Sequence, residues 1–264
     1  MERLKGKVIW ITGASSGIGE ALAYKLNEIG SKVILSARRE TELERVKNNC
    51  TFLDNAVILP LDLSNFEMLE TMPQKALSFF GDIDILINNG GISQRSLIKD
   101  TSFKVYQEMI NINYLGTIQL TRCLLPYFVT RQTGHFVTIT SLMGKFSSPY
   151  RSGYCGAKHA LHGFFDSLRM EHDKDQIDVT MICPGFVQTN VSKNALVADG
   201  SISNTDDEAT KNGITAEVCA EQIINAIKRK KFEVYIGGKE KYGVYLKRIF
   251  PILLHKFVLK SKVR

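Results

Sequence analysis

The chain has 264 residues and a formal net charge of +7, with 44% hydrophobic and 23% charged residues. These values fit one α/β domain with a sizeable core, exclude a disordered chain, and leave no apolar run long enough to predict a transmembrane helix. Residues 239–264 contain eight Lys or Arg and one Glu, so the whole net charge lies in this tail. A neutral body without a zinc-finger pattern or basic recognition helix argues against a nucleic-acid-binding protein. The short, charged N-terminus does not resemble a signal peptide, and we therefore expect a cytoplasmic protein.

Apolar, β-rich segments alternate with segments of helical period along the chain. The predicted strands cover residues 7–11, 32–36, 56–59, 83–87, 134–140, 179–183 and 233–236, and the predicted helices cover 17–29, 40–48, 66–80, 103–131, 152–173 and 216–230. This alternation is typical of βαβ units whose helices cover both faces of a parallel sheet. The sequence therefore predicts an α/β fold, a doubly wound, seven-stranded parallel Rossmann sheet, in a single domain over residues 1–238 that includes a polar lid at 191–212. A basic helical tail follows at 239–264.

A glycine-rich turn follows the first strand and opens the first helix. Gly13 permits a sharp turn, Gly17 lets the backbone approach a pyrophosphate, and Gly19 lets helix and strand pack closely. The helix N-terminus adds unpaired N–H groups for an anion. The alternative is an ordinary glycine-rich turn, but in this context the motif predicts a dinucleotide site. That site comprises Gly13, Ser15, Ser16, Gly17, Ile18 and Gly19.

The end of the second strand indicates which dinucleotide binds. An acidic residue there would hold the adenosine ribose of NAD, but the sequence has Arg38 and Arg39 instead. Guanidinium groups can form bidentate hydrogen bonds with a 2′-phosphate, so we expect NADP(H). Arg38 is the stronger candidate, because Arg39 could also be a solvated residue that opens the next helix.

Short turns after the third and fourth strands fit the same groove. Asp62, followed by Leu63, could accept a hydrogen bond from the adenine amino group, and Asn89 and Gly90 allow the backbone to approach the cofactor closely. Each of these is also an ordinary turn sequence.

A Tyr and a Lys four residues apart share one face of a helix, and the chain has two such pairs. Tyr235 and Lys239 span a strand end and a Gly–Gly turn, so their side chains should not face each other. Tyr154 and Lys158 lie at the start of a predicted helix, and Ser141 ends the fifth strand thirteen residues upstream of Tyr154.

These motifs together resemble the short-chain dehydrogenase/reductase family, most closely its 11-beta-hydroxysteroid-dehydrogenase-like and retinol-dehydrogenase-like branch. The resemblance covers residues 5 to about 238 and rests on segments 12–19 and 88–91, Asn113, the Ser141, Tyr154 and Lys158 set, and the Pro184–Gly185 pair. Two positions depart from the family pattern, since Gly90 and Thr140 stand where Ala and Ser are usual. Neither change removes a reacting group.

The resemblance implies a role for each reacting side chain. Tyr154 is the general acid or base, and Lys158 lowers the pKa of Tyr154 and holds the nicotinamide ribose. Ser141 hydrogen-bonds the substrate oxygen, and Asn113 holds a water that relays protons from Lys158. The turn around the nicotinamide carboxamide would comprise Pro184, Gly185, Val187 and Thr189.

We therefore expect an NADP(H)-dependent oxidoreductase that transfers hydride between nicotinamide C4 and a carbonyl or alcohol of a fairly apolar small molecule. The alternative is a non-catalytic NADP(H)-binding sensor or scaffold, but such a protein has no physical need of all the reacting groups together. Tyr150, Phe146 and the lid are candidates for substrate contact. No metal site is expected, because the five cysteines are scattered without a C-x-x-C pair. The resemblance also implies a homodimer or homotetramer built from the helices at 103–131 and 152–173.

The tail carries an apolar stripe with helical spacing, and Pro251 should kink or split its helix. One interpretation is that the stripe packs against the body or a subunit interface. The other is peripheral attachment to a membrane surface, because Lys and Arg residues flank the stripe. The sequence leaves both open. The stripe consists of Tyr242, Tyr245, Leu246, Ile249, Phe250, Leu253, Leu254, Phe257 and Val258.

Overall fold

The structure, a computed structural model, describes residues 2–205 and 207–261. Its strands are β1 (Val8–Thr12), β2 (Lys32–Ser36), β3 (Ala56–Ile58), β4 (Ile85–Asn88), β5 (Gly134–Ile139), β6 (Ile177–Pro184), β7 (Val187–Gln188), β8 (Ile214–Thr215) and β9 (Glu233–Ile236). Seven of them form a parallel sheet in the order β3-β2-β1-β4-β5-β6-β9, and β7 pairs with β8 separately. The predicted seven-stranded parallel sheet is therefore confirmed.

Helices cover both faces of this sheet. They are α1 (Gly17–Glu28), α2 (Glu40–Asn48), α3 (Phe66–Phe80), α4 (Phe103–Ile110), α5 (Thr117–Arg131), α6 (Ser152–Glu171), α7 (Glu208–Lys211), α8 (Ala216–Lys228), α9 (Gly243–Ile249) and α10 (Pro251–Lys260). One apolar core joins α1, α2 and α8 to the sheet, and a second joins α3, α5 and α6 to its other face. Among the described residues, no helix combines the length and apolarity that a bilayer span requires.

The central strand β1 shows why the strands are apolar throughout. Ile9 and Ile11 belong to one core, while Trp10 belongs to the other. Trp10 is the single tryptophan of the chain and is fully buried, with its Nε1 donating to Ser36 Oγ at 2.8 Å. Because a layer of helices covers each face, no position of the strand meets solvent.

The segment predicted as one helix over residues 103–131 is interrupted. A π-helical turn over Asn111–Gly116 separates α4 from α5. In this turn Asn113 bonds the backbone of Ile92, with Oδ1 accepting from its N–H at 2.8 Å and Nδ2 donating to its carbonyl at 2.9 Å. Gly116 packs on the Leu63 carbonyl so closely that a Cβ would collide with it. These two contacts tie the interrupted helix to the loops that follow β3 and β4.

The tail divides where its proline predicts. Phe250, immediately before Pro251, has a non-helical backbone with φ −131° and ψ 66°, and α10 begins at the proline. Of the predicted stripe, Leu254 is buried, and Leu246 and Val258 pack partly on a small cluster that includes Phe146. The stripe therefore packs on the body through a minority of its residues.

Candidate active site

A cavity of about 690 Å³ opens at the carboxyl ends of the parallel strands. It spans the junction of β1 and β4, where the order of strands in the sheet reverses. Ligands of open α/β sheets bind at such a reversal, because the loops on either side diverge and leave a crevice. Loops after β1 to β6, the start of α6 and part of the lid form the cavity wall.

One end of the cavity is a backbone cradle. Gly13 and Gly17 have φ values of +65° and +58°, which favour glycine. A Cβ on Gly13 would lie 2.8 Å from Gly90 Cα, and one on Gly17 would lie 2.9 Å from Thr189 Cγ2. Helix α1 begins at Gly17, and the Ser16 side chain makes no capping hydrogen bond. First-turn N–H groups without such a cap suit a phosphate group.

The loop after β4 holds this cradle in place. Asn89 Nδ2 donates to the carbonyls of Thr12 and Gly13 at 3.0 and 3.2 Å. In return, Thr12 Oγ1 accepts from the N–H groups of Asn89 and Gly90, both at 3.0 Å. The Asn–Gly pair therefore sets the position of the glycine-rich turn in addition to lining the cavity.

Arg38 and Arg39 line the same end of the cavity, and both are exposed. Neither forms an ion pair with any residue in the described part of the chain. Arg39 also precedes α2, as the alternative interpretation expected. Asp62 lies in the wall nearby, and its Oδ1 accepts from Ser64 N–H at 2.9 Å.

Ser141, Tyr154 and Lys158 converge on the other end of the cavity. Ser141 Oγ accepts from Met143 N–H at 3.1 Å and donates to the Pro184 carbonyl at 3.3 Å. Lys158 Nζ donates to the Ile139 carbonyl at 2.9 Å and lies 5.7 Å from the centre of the Tyr154 ring. Burial lowers the pKa of Lys158 to about 8, because the ammonium is taken out of water.

Burial also has the largest effect on the pKa of Tyr154. It raises the pKa of the phenol above its usual value of 10, although a hydrogen bond with Ser141 and the charge of Arg151 act in the opposite direction. Desolvation is the largest of these effects, so the phenol is protonated at neutral pH. The lowering of this pKa by Lys158, which the resemblance implied, stays a prediction.

A buried ionic cluster beside Tyr154 was not predicted. Asp207 Oδ2 accepts from Arg95 Nη2 at 2.8 Å and from Arg151 Nη2 at 3.2 Å, and Ser192 Oγ donates to the same oxygen at 2.9 Å. Both arginines line the cavity, whereas the Asp207 side chain is only 6% exposed. The cluster joins the lid to the loop after β4 and to the start of α6. Its partners are far apart in sequence, so no local motif marks them.

Most of the predicted site residues meet at the cavity, and four do not line it. Gly19 packs behind Gly13, which agrees with its predicted role in helix packing. Asn113 is fully buried, and its carboxamide is engaged by Ile92 instead of facing the cavity. Phe146 and Tyr150 also lie outside the wall of this cavity, and their contact with substrate stays a prediction. The ring of Phe146 packs against the tail at Gly243.

A second unpredicted cluster lies behind Lys158. Potential ligand atoms of His162, Cys183 and Glu233 lie within 4.8 Å of one another. However, Lys145 Nζ is 2.6 Å from Glu233 Oε2, so an ammonium group already balances the carboxylate. Burial raises the pKa of Cys183 to about 12, which keeps its thiol protonated. This cluster is therefore a structural ion pair with an inert thiol beside it.

Comparison with known proteins agrees with this arrangement. The family model for short chain dehydrogenases matches residues 7–199. The human protein "Dehydrogenase/reductase SDR family member 7" is 45% identical over 242 residues, which are 89% of this chain and 71% of that protein. A crystal structure of a short chain dehydrogenase/reductase from Burkholderia phymatum with NAD has a TM-score of 0.84 at 22% identity over 96% of each chain. The closed form of serine dehydrogenase with NADP⁺ has a TM-score of 0.78 at 26% identity, over 88% of this chain and 94% of that one.

Proposed function

This chain belongs to the short-chain dehydrogenase/reductase family and is an oxidoreductase, and we propose that it uses NADP(H) to interconvert a carbonyl and an alcohol on a fairly apolar small molecule. One observation carries this proposal. A single cavity is lined by the glycine-rich cradle and by Arg38 and Arg39, which have no ion-pair partner among the described residues, and also by Ser141, Tyr154 and Lys158.

The cradle fits a dinucleotide. The spaces beside Gly13 and Gly17 are too narrow for a Cβ, so the backbone there can approach a ligand directly. The N-terminus of α1 would hold the pyrophosphate, and the turn at Pro184 and Gly185 would border the nicotinamide. The bound nicotinamide would supply or accept the hydride.

The preference for NADP(H) rests on Arg38 and Arg39. Related folds hold either NAD or NADP⁺, so the fold does not decide the cofactor. Two exposed guanidinium groups without an ion-pair partner in the described residues favour a ligand with an additional phosphate. We expect NADPH to bind at least tenfold more tightly than NADH, a difference of about 1.4 kcal/mol.

Titration of both cofactors tests this preference. Arg38→Ala should remove most of the discrimination, while Lys104→Ala, which removes an exposed cation outside the cavity, should keep it. Equal affinities of the unmodified chain for NADPH and NADH would contradict the assignment.

Side chains of the protein would transfer the proton that accompanies the hydride. A protonated Tyr154 can donate to the substrate oxygen during reduction, since its raised pKa keeps the hydroxyl proton at neutral pH. Ser141 would hold the same oxygen, and Lys158 would return a proton to Tyr154, because a pKa of about 8 allows proton exchange near neutrality.

Replacement of the phenol tests the mechanism. Tyr154→Phe should abolish NADPH oxidation with a panel of ketones and aldehydes but leave NADPH affinity nearly unchanged. Tyr127→Phe is the matched control, because it removes a phenol that bonds Asp82 outside the cavity. Retention of most activity by Tyr154→Phe would exclude Tyr154 as the proton donor. Cofactor binding without turnover on any carbonyl by the unmodified chain would favour a sensor or scaffold.

A further inference from the structure

The C-terminal helices present large apolar side chains to solvent. Eight of the twenty large hydrophobic side chains exposed in the described part of the chain fall between residues 242 and 259. Ile252 is 73% exposed, Ile249 66% and Phe257 58%. We call this surface the tail face. It comprises Tyr242, Tyr245, Ile249, Phe250, Ile252, Leu253, Phe257 and Leu259.

Such a concentration distinguishes the tail from the rest of the surface. Isolated exposed apolar residues are normal in soluble proteins, whereas a contiguous patch indicates a contact with a partner or a membrane. The described part of the tail, residues 239–261, contributes little to the core, since Leu254 is buried and Val244, Leu246 and Val258 pack only partly. Packing against the body therefore does not explain why α9 and α10 carry so many apolar side chains.

Positive charge accompanies the apolar surface. The cations of these helices are Lys241, Lys247, Arg248, Lys256 and Lys260. No carboxylate of the described residues forms an ion pair with any of them. The nearby acid, Glu240, instead accepts from the N–H groups of Phe186 and Gly238 at 3.3 and 3.0 Å. Apolar side chains beside cations that no described carboxylate neutralises match the interface of an anionic bilayer.

The tail face also adjoins the catalytic loop. Between α10 and residues 146–149 lies a groove of about 290 Å³, lined by Phe146 and Pro149 on one side and by Leu254 and Leu259 on the other. Residues 146–149 connect Ser141 to Tyr154. A bilayer against the tail would therefore lie next to the segment that carries the reacting groups.

We propose that the tail face docks the protein peripherally on an anionic lipid bilayer. The apolar side chains would enter the boundary between headgroups and acyl chains, and the lysines and Arg248 would contact anionic headgroups. Docking would place the segment between Ser141 and Tyr154 beside lipid-dissolved substrates. That last consequence rests on the proposed function, whereas docking itself does not.

Flotation with vesicles tests the docking without any measurement of turnover. The full chain should float with phosphatidylcholine vesicles that contain phosphatidylserine, and high salt should weaken this binding. The double variant Ile252→Ser/Phe257→Ser should reduce the partition coefficient by about tenfold or more, because both side chains would lose their contact with lipid. Lys247→Gln/Lys256→Gln should reduce binding to the anionic vesicles by about 30-fold, at about fivefold per lysine.

The control changes an Ile and a Phe of comparable exposure elsewhere. Ile98 and Phe52 are 72% and 46% exposed and lie outside the tail and outside α4, α5 and α6, so Ile98→Ser/Phe52→Ser alters surface hydrophobicity without touching the tail. It should float as well as the unmodified chain. An equal loss of binding in this control would overturn the proposal, as would an unmodified chain that stays soluble with anionic vesicles at low salt. Light scattering tests the alternative that a second copy of the chain covers the tail face. If Ile252→Ser/Phe257→Ser converts an oligomer to a monomer, the tail face is an interface between copies and the proposal is overturned.

Discussion

Asp207 offers the sharpest test of how the lid is held over the cavity. Its carboxylate bonds Arg95 and Arg151 on one oxygen, and its other oxygen accepts from Thr210 N–H at 2.6 Å. Asp207→Asn keeps the size of the side chain but removes the negative charge between the guanidinium groups of Arg95 and Arg151. We expect this change to destabilise the fold and to loosen the lid.

The structure gives the size of the effect. Burial alone would raise the pKa of Asp207, but hydrogen bonds from Thr210, Arg95 and Ser192 outweigh it and lower the pKa from 3.8 to about 2. This difference corresponds to about 2.5 kcal/mol of stability at neutral pH. Loss of one partner from a buried ion pair commonly costs about 3 to 5 kcal/mol, so we expect a loss of about 2 to 4 kcal/mol. In a chain of this size, that lowers Tm by roughly 5 to 15 °C.

The stabilisation by the Asp207 carboxylate should decrease at low pH. Since the folded pKa is below the unfolded one, the stabilisation is complete above about pH 4 and disappears as the pH falls through about 2. Thermal unfolding should therefore give the same difference in Tm between the two proteins at pH 7 and pH 5, and a smaller one at pH 3. Asp199→Asn is the control, because Asp199 lies in the same lid but is exposed and bonds only Ser201 in the described structure. An unchanged Tm for Asp207→Asn, or an equal drop for Asp199→Asn, would refute the role assigned to the cluster.

Three further predictions concern proton transfer, thiols and assembly. Alcohol oxidation should accelerate as the pH rises above neutrality while carbonyl reduction stays flat between pH 6 and about 8, because Tyr154 is protonated there; initial rates in both directions measure this. Burial raises the pKa of Cys50 to about 11 and that of Cys219 to about 12, so maleimide labelling of the native protein, followed by mass spectrometry, should modify the half-buried Cys123 first. Light scattering should show a dimer or tetramer associated through α4, α5 and α6, and a 29.6 kDa particle at micromolar concentration would contradict this.

The main sheet could be predicted from sequence because each strand is a short apolar run that two helix layers cover. The interruption of the helix at residues 111–116 could not. It depends on Asn113 bonding Ile92 and on Gly116 meeting Leu63, and both are contacts between segments distant in the chain. Tertiary contacts of this kind override local helix propensity.

The residues around the cavity likewise divide into those that local sequence predicts and those that depend on distant contacts. Residues at strand ends could be predicted, because the carboxyl ends of parallel strands share one edge of the sheet. The Asp207 cluster could not, since its arginines lie 112 and 56 residues away and each appears in the sequence as an ordinary polar residue. Phe146 was predicted to contact substrate because it lies between Ser141 and Tyr154. In the structure its ring packs against the tail, and the sequence does not encode locally where the tail lies.

The position of Trp10 makes the protein its own spectroscopic reporter. A single indole held in the central strand, with its N–H bonded to Ser36, should emit at short wavelength as one uniform population. Its strand ends at Thr12, on the wall of the cavity, and reduced nicotinamide absorbs in the range where tryptophan emits. Binding of the reduced cofactor should therefore quench this emission by energy transfer, and the oxidised form should do so far less. The redox state of the bound cofactor can then be followed in the unlabelled protein from the fluorescence of Trp10.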